Sequence, residues 1–134
     1  MSKQQLTSVS FQCTIRGYHV YGKDWFPVEE EELLCYHEIG NIFDIFAIKT
    51  VSKDCRVVGH LPREISRPTK FLLDRGAVVT ATISDNKYRR SPLLQGGLEI
   101  PCKVRATLPA TQRGVGLLDH YNVMVIFLSK FIHL

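Results

Sequence analysis

Hydrophobic and polar residues alternate along several short stretches of the chain, which is the pattern of half-buried β-strands. The clearest case is residues 9–15, where Val9, Cys13 and Ile15 belong to a period of two. Further strands are predicted at residues 33–37, 45–51, 56–61, 77–84 and 98–106. This pattern predicts a mainly β protein, with five or six short strands in a small barrel or highly curved sheet.

Residues 62–76 form the one region with a persuasive helical pattern. Apolar residues between Ile65 and Leu73 can share one face, and Gly76 fits the residue that follows a helix end. Pro68 would kink a continuous helix. The sequence therefore predicts a helical turn followed by a new helix with Pro68 at its first position. The final apolar segment, residues 117–134, is compatible with either a helix or a strand.

The length of 134 residues predicts a single domain. Residues 1–8 are polar and are predicted to be a flexible N-terminus. Residues 9–108 contain the predicted strands and form the barrel domain. Residues 109–134 are predicted to be a C-terminal extension that packs on the barrel or beside it.

Charge is distributed unevenly over the chain, whose formal net charge is +4. Residues 1–62 carry a net charge of −2, whereas residues 63–134 carry +6. A basic half suits a nucleic-acid phosphate backbone, although an ordinary basic surface has the same composition.

The cysteines indicate a reducing compartment. The four cysteines are Cys13, Cys35, Cys55 and Cys102, and no two of them lie at a spacing suited to zinc. Three of the four fall in apolar runs, where a free cysteine behaves as a small hydrophobic residue. The chain shows no secretory signal, so we expect a nuclear or cytoplasmic protein that is not secreted. The apolar C-terminal segment is interrupted by polar residues such as Asp119 and Lys130, which argues against a membrane span.

Sequence signatures of enzymes are absent: there is no P-loop, GxSxG, HExxH or GxGxxG motif. We therefore expect a binding module that is not an enzyme and needs neither a metal nor a cofactor.

Two motifs at a fixed separation carry the functional information. Residues 41–49 read NIFDIFAIK, and residues 59–65 read GHLPREI after a short hairpin. Together they resemble the hallmark of the HIRAN domain, Asn-Pro-x-Asp-x-x-Ala-Ile/Val followed by Gly-His/Tyr-hydrophobic-Pro at the start of a helix. The resemblance extends from about Phe11 to Val104.

The resemblance implies an OB-like or SH3-like β-barrel that binds single-stranded DNA, with a preference for a free 3′ end. It implies a role in DNA repair or replication-fork processing, with a helicase or nuclease as a possible protein partner. By motif, the strand-gripping loop corresponds to Lys23, Asp24 and Trp25, and the 3′-end pocket to Asn41, Phe43 and Asp44. Phosphates would meet His60 and Arg63, and Leu98 would line the outer base site.

Physical chemistry supports several of these roles. An aromatic ring such as that of Trp25 stacks on any base, contributing roughly 1–3 kcal/mol. A carboxylate such as that of Asp44 accepts a hydrogen bond from a terminal hydroxyl and repels a phosphate. Arg63, at the start of a helix, adds its charge to backbone amides that favour anions. Residues 87–90 are a second candidate contact with nucleic acid, although a solvated loop explains them as well; they are Lys87, Tyr88, Arg89 and Arg90.

The chain departs from the motif at several positions. The first loop has Lys23-Asp24-Trp25 in place of Arg-Tyr-Tyr, which loses a forked donor and a stacking ring. Ile42 replaces the motif proline, Phe43 lacks the tyrosine hydroxyl, and Leu98 replaces an aromatic residue. These changes predict weaker or altered end recognition, and they leave open whether DNA or RNA is preferred.

The same residues have structural alternatives. Phe43 and Phe46 are equally compatible with a place in the core, and Trp25 with packing at the mouth of the barrel. Asp44 can instead cap the next strand through an Asx turn, and His60 can be a structural hydrogen-bonding group. The alternative function is a protein-interaction module on the same fold, with Trp25, Phe26 and Phe43 as its apolar anchor.

Overall fold

Short strands dominate the secondary structure, as the alternating pattern predicts. The computed structural model describes residues 4–17, 25–85, 89–90 and 98–130. Its strands are β1 (Leu6–Arg16), β2 (Glu32–His37), β3 (Ile48–Val51), β4 (Val57–His60), β5 (Val78–Ile83), β6 (Arg89–Arg90) and β7 (Leu98–Pro109). Its α-helices are α1 (Ser66–Asp74) and α2 (Gln112–Ser129).

Six of the described strands close into an antiparallel barrel in the order β1-β4-β3-β2-β5-β7, with β7 returning to β1. Strands β1 and β7 pair along their length, from Leu6 opposite Pro109 to Arg16 opposite Glu99. Strand β1 meets β4 through a single pair, Arg16 opposite His60. The prediction of a mainly β, OB-like barrel is confirmed, and Arg16 lies where the barrel closes.

The alternation along the strands places apolar side chains inside the barrel. In β2, Leu33 and Cys35 are buried, whereas Leu34 and Tyr36 are exposed. Of the four cysteines, only Cys55 is exposed. Burial raises the pKa of the Cys35 thiol well above its ordinary value, so this thiol stays protonated and unreactive.

The sheet extends further than the sequence predicts. Strand β1 begins at Leu6, inside the segment expected to be flexible, because residues 6–8 pair with residues 107–109 of β7. Residues 89–90, expected within a basic loop, instead pair as β6 with the first two residues of β7. These backbone amides and carbonyls find their hydrogen-bond partners on a strand that is distant in sequence, so the local sequence does not reveal the pairing.

Helix α1 differs from its prediction at the N-terminus. A 3₁₀ turn at Arg63–Ile65 leads directly into α1, so Pro68 is the third residue of the helix and not the first. The helix accommodates Pro68 because an amide in the first turn has no intrahelical acceptor. Gly76 ends the helix as predicted: its φ is +89°, and its amide donates to the carbonyl of Leu73.

The C-terminal segment that the sequence leaves undecided is helical. Thr111 caps α2, since its Oγ1 accepts a hydrogen bond of 3.0 Å from the amide of Gly114. Leu118, Tyr121 and Val125 of α2 join the barrel core. The Tyr121 hydroxyl lies 2.9 Å from Oγ1 of Thr69, which links α2 to α1. Neither helix in the described part of the chain is long and apolar enough to cross a membrane.

Candidate nucleic-acid interface

The first half of the sequence motif forms the loop between β2 and β3, which Asn41 holds in shape. Oδ1 of Asn41 accepts hydrogen bonds from the amides of Phe43 (2.9 Å) and Asp44 (3.0 Å). Its Nδ2 donates to Oε1 of Glu38 at 2.9 Å. The chain reverses into this turn at Gly40, whose φ of +87° is a conformation that residues with a side chain rarely adopt. The Asn41 side chain is therefore a scaffold for the residues beside it.

Asp44 forms the Asx turn that the sequence allows. Its Oδ1 accepts a hydrogen bond of 2.9 Å from the amide of Phe46. Its second oxygen accepts no hydrogen bond from the residues that the structure describes. One oxygen thus fixes the loop, and the other retains its capacity to accept a donor from a ligand.

His60, from the second half of the motif, is tied to the same loop. Its Nε2 lies 3.0 Å from Oε1 of Glu38, the oxygen that also accepts from Asn41. Burial opposes ionisation of Glu38, but hydrogen bonds to His60 and Asn41 and the charge of Lys49 outweigh it, so the Glu38 pKa lies below its ordinary value. His60 therefore makes a structural hydrogen bond, to Glu38, as the alternative interpretation of this residue predicts.

A cleft of about 350 Å³ brings together the motif residues from both halves. We call it the inner cleft, and Asn41, Phe43, Asp44, His60 and Arg63 all contribute to its lining. It lies at the closure of the barrel, which explains why residues that are far apart in sequence meet there.

Arg16 also lines the inner cleft, at the strand pair that closes the barrel. Its Nη1 lies 2.8 Å from Glu64, and its Nε lies 2.9 Å from Glu99. Two carboxylates thus neutralise the arginine and fix its side chain. The sequence analysis missed Arg16 and Glu64, since nothing local indicates which strands close the barrel.

A second cleft, also of about 350 Å³, continues from the first and shares Phe43, Asp44, Arg63 and Ser66 with it. We call it the outer cleft; Arg67 belongs to its lining. The Arg67 guanidinium lies 5.5 Å from the centre of the Phe46 ring, close enough for a cation–π contact. The sequence analysis missed Arg67 as well, although its position four residues after Arg63 places both cations near the start of α1.

Phe43 is not a core residue. Its side chain is 82% exposed between the two clefts, which excludes the core alternative for this position. Phe46 is half-buried under Arg67. The exposed ring of Phe43 offers a flat apolar surface beside the Asp44 carboxylate and the Arg63 guanidinium.

Trp25 has the opposite environment. It is 7% exposed within the barrel core, and its Nε1 donates to Glu31 at 3.1 Å. The expected role as a base-stacking surface does not fit this position, because the ring is enclosed and four glutamates, residues 29–32, line the adjacent cavity. Packing at the mouth of the barrel describes Trp25 better.

Several predicted residues cannot be placed. Lys23, Asp24, Lys87 and Tyr88 lie outside the described residues. Arg89, Arg90 and Leu98 lie on paired strands, with Arg90 opposite Leu98, but their side chains are outside the description.

Known protein structures share this architecture, although no family model and no curated protein matches the sequence. The crystal structure of the HIRAN domain of human HLTF superposes with a TM-score of 0.61 at 18% identity, covering 85% of this chain and 92% of that one. The chain has the fold of a HIRAN domain. A protein from Lactobacillus plantarum is similar at a TM-score of 0.54 and 17% identity, with 75% of this chain and 98% of that one covered.

An NMR structure of the HLTF HIRAN domain in its DNA-bound conformation is also similar to this HIRAN-like chain. It has a TM-score of 0.55 and 16% identity, over 91% of this chain and 92% of that one.

Proposed function

We propose that this HIRAN-like domain binds single-stranded DNA at free 3′ ends, as a recognition module without catalytic activity. The observation that carries the proposal is the inner cleft, where both halves of the sequence motif meet around a volume of about 350 Å³. The likeness to a HIRAN domain with a DNA-bound conformation supports nucleic acid as the ligand class.

Phe43 supplies the stacking surface. Its ring is 82% exposed at the junction of the two clefts, and base stacking on an aromatic ring contributes roughly 1–3 kcal/mol. Stacking tolerates every base, so this contact gives affinity without sequence preference. The exposure of Phe43 supports this role for it, in place of the enclosed Trp25.

Asp44 reads the chain end. The carboxylate oxygen that is not used in the Asx turn accepts a hydrogen bond from a terminal 3′-hydroxyl. A phosphate at the same place would bring two anions together in a half-buried site, where their repulsion is poorly screened. One side chain thus distinguishes a free hydroxyl end from a phosphorylated end.

Arg63 and Arg67 attract the phosphate backbone that leads away from the end. Both line the outer cleft near the N-terminus of α1, where backbone amides favour anions. Arg63 makes no ion pair with the residues that the structure describes, so its charge is not neutralised locally. His60 adds a further donor to a phosphate if it exchanges its bond to Glu38. We propose that the remaining predicted residues, Lys23, Asp24, Leu98 and residues 87–90, also take part in binding DNA.

The test is fluorescence anisotropy with short single-stranded DNA ending in a 3′-hydroxyl or a 3′-phosphate. The wild-type protein binds the hydroxyl end more tightly. Asp44→Asn loses that preference by roughly tenfold or more, because a neutral amide no longer repels phosphate. The substitution preserves the Asx turn, since the asparagine side-chain oxygen accepts from the same amide.

Phe43→Ala and Phe26→Ala form a matched pair for the stacking contact. Both rings are exposed, at 82% and 80%, but only Phe43 lines the clefts. Phe43→Ala weakens binding to both DNA ends, whereas Phe26→Ala leaves it unchanged. Equal losses in the two variants, or no binding by the wild type at low salt, would contradict the proposal.

A protein-interaction module is the second candidate, and the β2–β3 loop favours it specifically. Ile39, Ile42 and Ile45 are exposed there by 87%, 85% and 68%, forming an apolar tip beside Phe43. An apolar protein interface responds weakly to salt, whereas DNA binding weakens steeply as the salt concentration rises.

We further propose a nuclear or cytoplasmic location and a helicase or nuclease partner, in DNA repair or replication-fork processing.

A further inference from the structure

The outward face of α2 carries apolar side chains that the described part of the chain leaves exposed. Val115, Val123, Ile126 and Phe127 are exposed by 41%, 64%, 65% and 54%. The opposite face of the same helix is buried in the barrel core. A helix that is apolar on both faces is normally buried on both, and an exposed apolar patch of this kind marks an interaction surface.

Four positions on this face follow a regular spacing of four, three and four residues, which places them in one stripe along the helix. They are Asp119, Val123, Ile126 and Lys130. When a second copy of the helix runs antiparallel to the first, Val123 of one copy faces Ile126 of the other. Asp119 of one copy then faces Lys130 of the other. The stripe is therefore complementary to an antiparallel copy of itself.

We propose that α2 is a self-association surface, on which two copies of this chain pair through antiparallel α2 helices. A twofold axis near Met124 places Val123 against Ile126 of the second copy and Asp119 opposite Lys130 of the second copy. Such an interface is isologous, so each contact occurs twice. The Lys130 ammonium already lies along this face, 4.0 Å from the centre of the Phe127 ring.

The charge pattern indicates that the partner on this face of α2 is a second copy of the chain, and that the two helices run antiparallel. A parallel pair would set Asp119 against Asp119 and Lys130 against Lys130, which is repulsive at both ends. The surface is separate from the proposed DNA interface, because neither cleft is lined by a residue of α2.

Sedimentation velocity over a concentration series tests the proposal. The wild type dimerises reversibly, and Val123→Glu or Ile126→Glu weakens the dimer by at least about tenfold, because each buries a charge twice in the apolar centre. Ile39→Glu is the matched control, since it alters an isoleucine that is 87% exposed but lies on the β2–β3 loop. It leaves the dimer unchanged.

Charge exchange tests the antiparallel register independently of the apolar centre. Asp119→Lys and Lys130→Asp each weaken the dimer, and the double variant restores it to within about threefold of the wild type. A monomer at every concentration, a dimer insensitive to the Val123 and Ile126 variants, or a double variant without recovery would overturn the proposal. The DNA affinity of each α2 variant, measured at a concentration where the protein is monomeric, stays unchanged, so this result is independent of the proposed function.

Discussion

Single polar side chains determine the shape of the candidate site before any ligand arrives. Asn41 holds the amides of Phe43 and Asp44, and Glu38 accepts from both Asn41 and His60. The Glu38 carboxylate therefore joins the β2–β3 loop to β4. Preorganisation of this kind lowers the entropic cost of binding a flexible strand.

The Glu38 contact predicts a pH dependence of stability at the acid end. Its folded-state pKa lies below the ordinary value of 4.5, so its contribution is present above pH 4.5 and is lost as the pH falls through the folded-state pKa. Glu38→Gln removes the part of the pH dependence of stability that comes from ionisation of Glu38. Melting temperatures from about pH 6 to about pH 3 should fall less steeply in the variant than in the wild type. Parallel curves would show that Glu38 does not link the loop to β4.

At the scale of elements, α2 depends on a close approach between its first turn and the end of β7. A Cβ atom on Gly114 would lie 2.0 Å from the carbonyl oxygen of Pro109, whereas one on Gly116 meets nothing within 4 Å. Both glycines lie within the helix, so they differ in their surroundings and not in secondary structure.

Alanine substitutions at these two glycines are expected to have opposite effects on stability. Gly114→Ala lowers the free energy of unfolding by about 1–3 kcal/mol, because the backbone of Pro109 must shift. Gly116→Ala raises it by roughly 0.5–1 kcal/mol through helix propensity alone. Urea denaturation at a concentration where the protein is monomeric measures both. A loss in both variants would mean that glycine flexibility, and not the Pro109 contact, governs this segment.

At the scale of the whole molecule, part of the positive charge around the two clefts is neutralised by carboxylates, so the proposed DNA binding rests on few cations. Arg16 is neutralised by Glu64 and Glu99, which leaves Arg63 and Arg67 as the main phosphate contacts that we propose for the described clefts. Binding should therefore depend on salt less steeply than in proteins with long basic tracks.

With about three phosphates engaged, affinity for single-stranded DNA falls roughly 20-fold between about 50 and 200 mM salt. Arg63→Gln reduces the slope of log affinity against log salt by about 0.7. Anisotropy titrations at four or more salt concentrations give this slope. A salt-independent affinity would favour the apolar protein-interaction alternative.

The sequence by itself determined the elements whose signals are local. Alternation predicted the β strands, Gly76 predicted the end of α1, and the two motifs predicted that Asn41, Phe43, Asp44, His60 and Arg63 belong together. The strands and the helix end depend on periodic burial and turn chemistry, which adjacent residues decide, whereas the grouping of the two motifs follows from the resemblance to a known family.

Only the tertiary structure decided the rest, because it depends on contacts between distant strands. The pairing of β1 with β7 extended the sheet to Leu6, and barrel closure brought Arg16 into the inner cleft. Packing enclosed Trp25 and exposed Phe43, two aromatic residues that the sequence cannot tell apart. Burial is a property of the assembled fold, so it selects which residues of a motif remain accessible to a ligand.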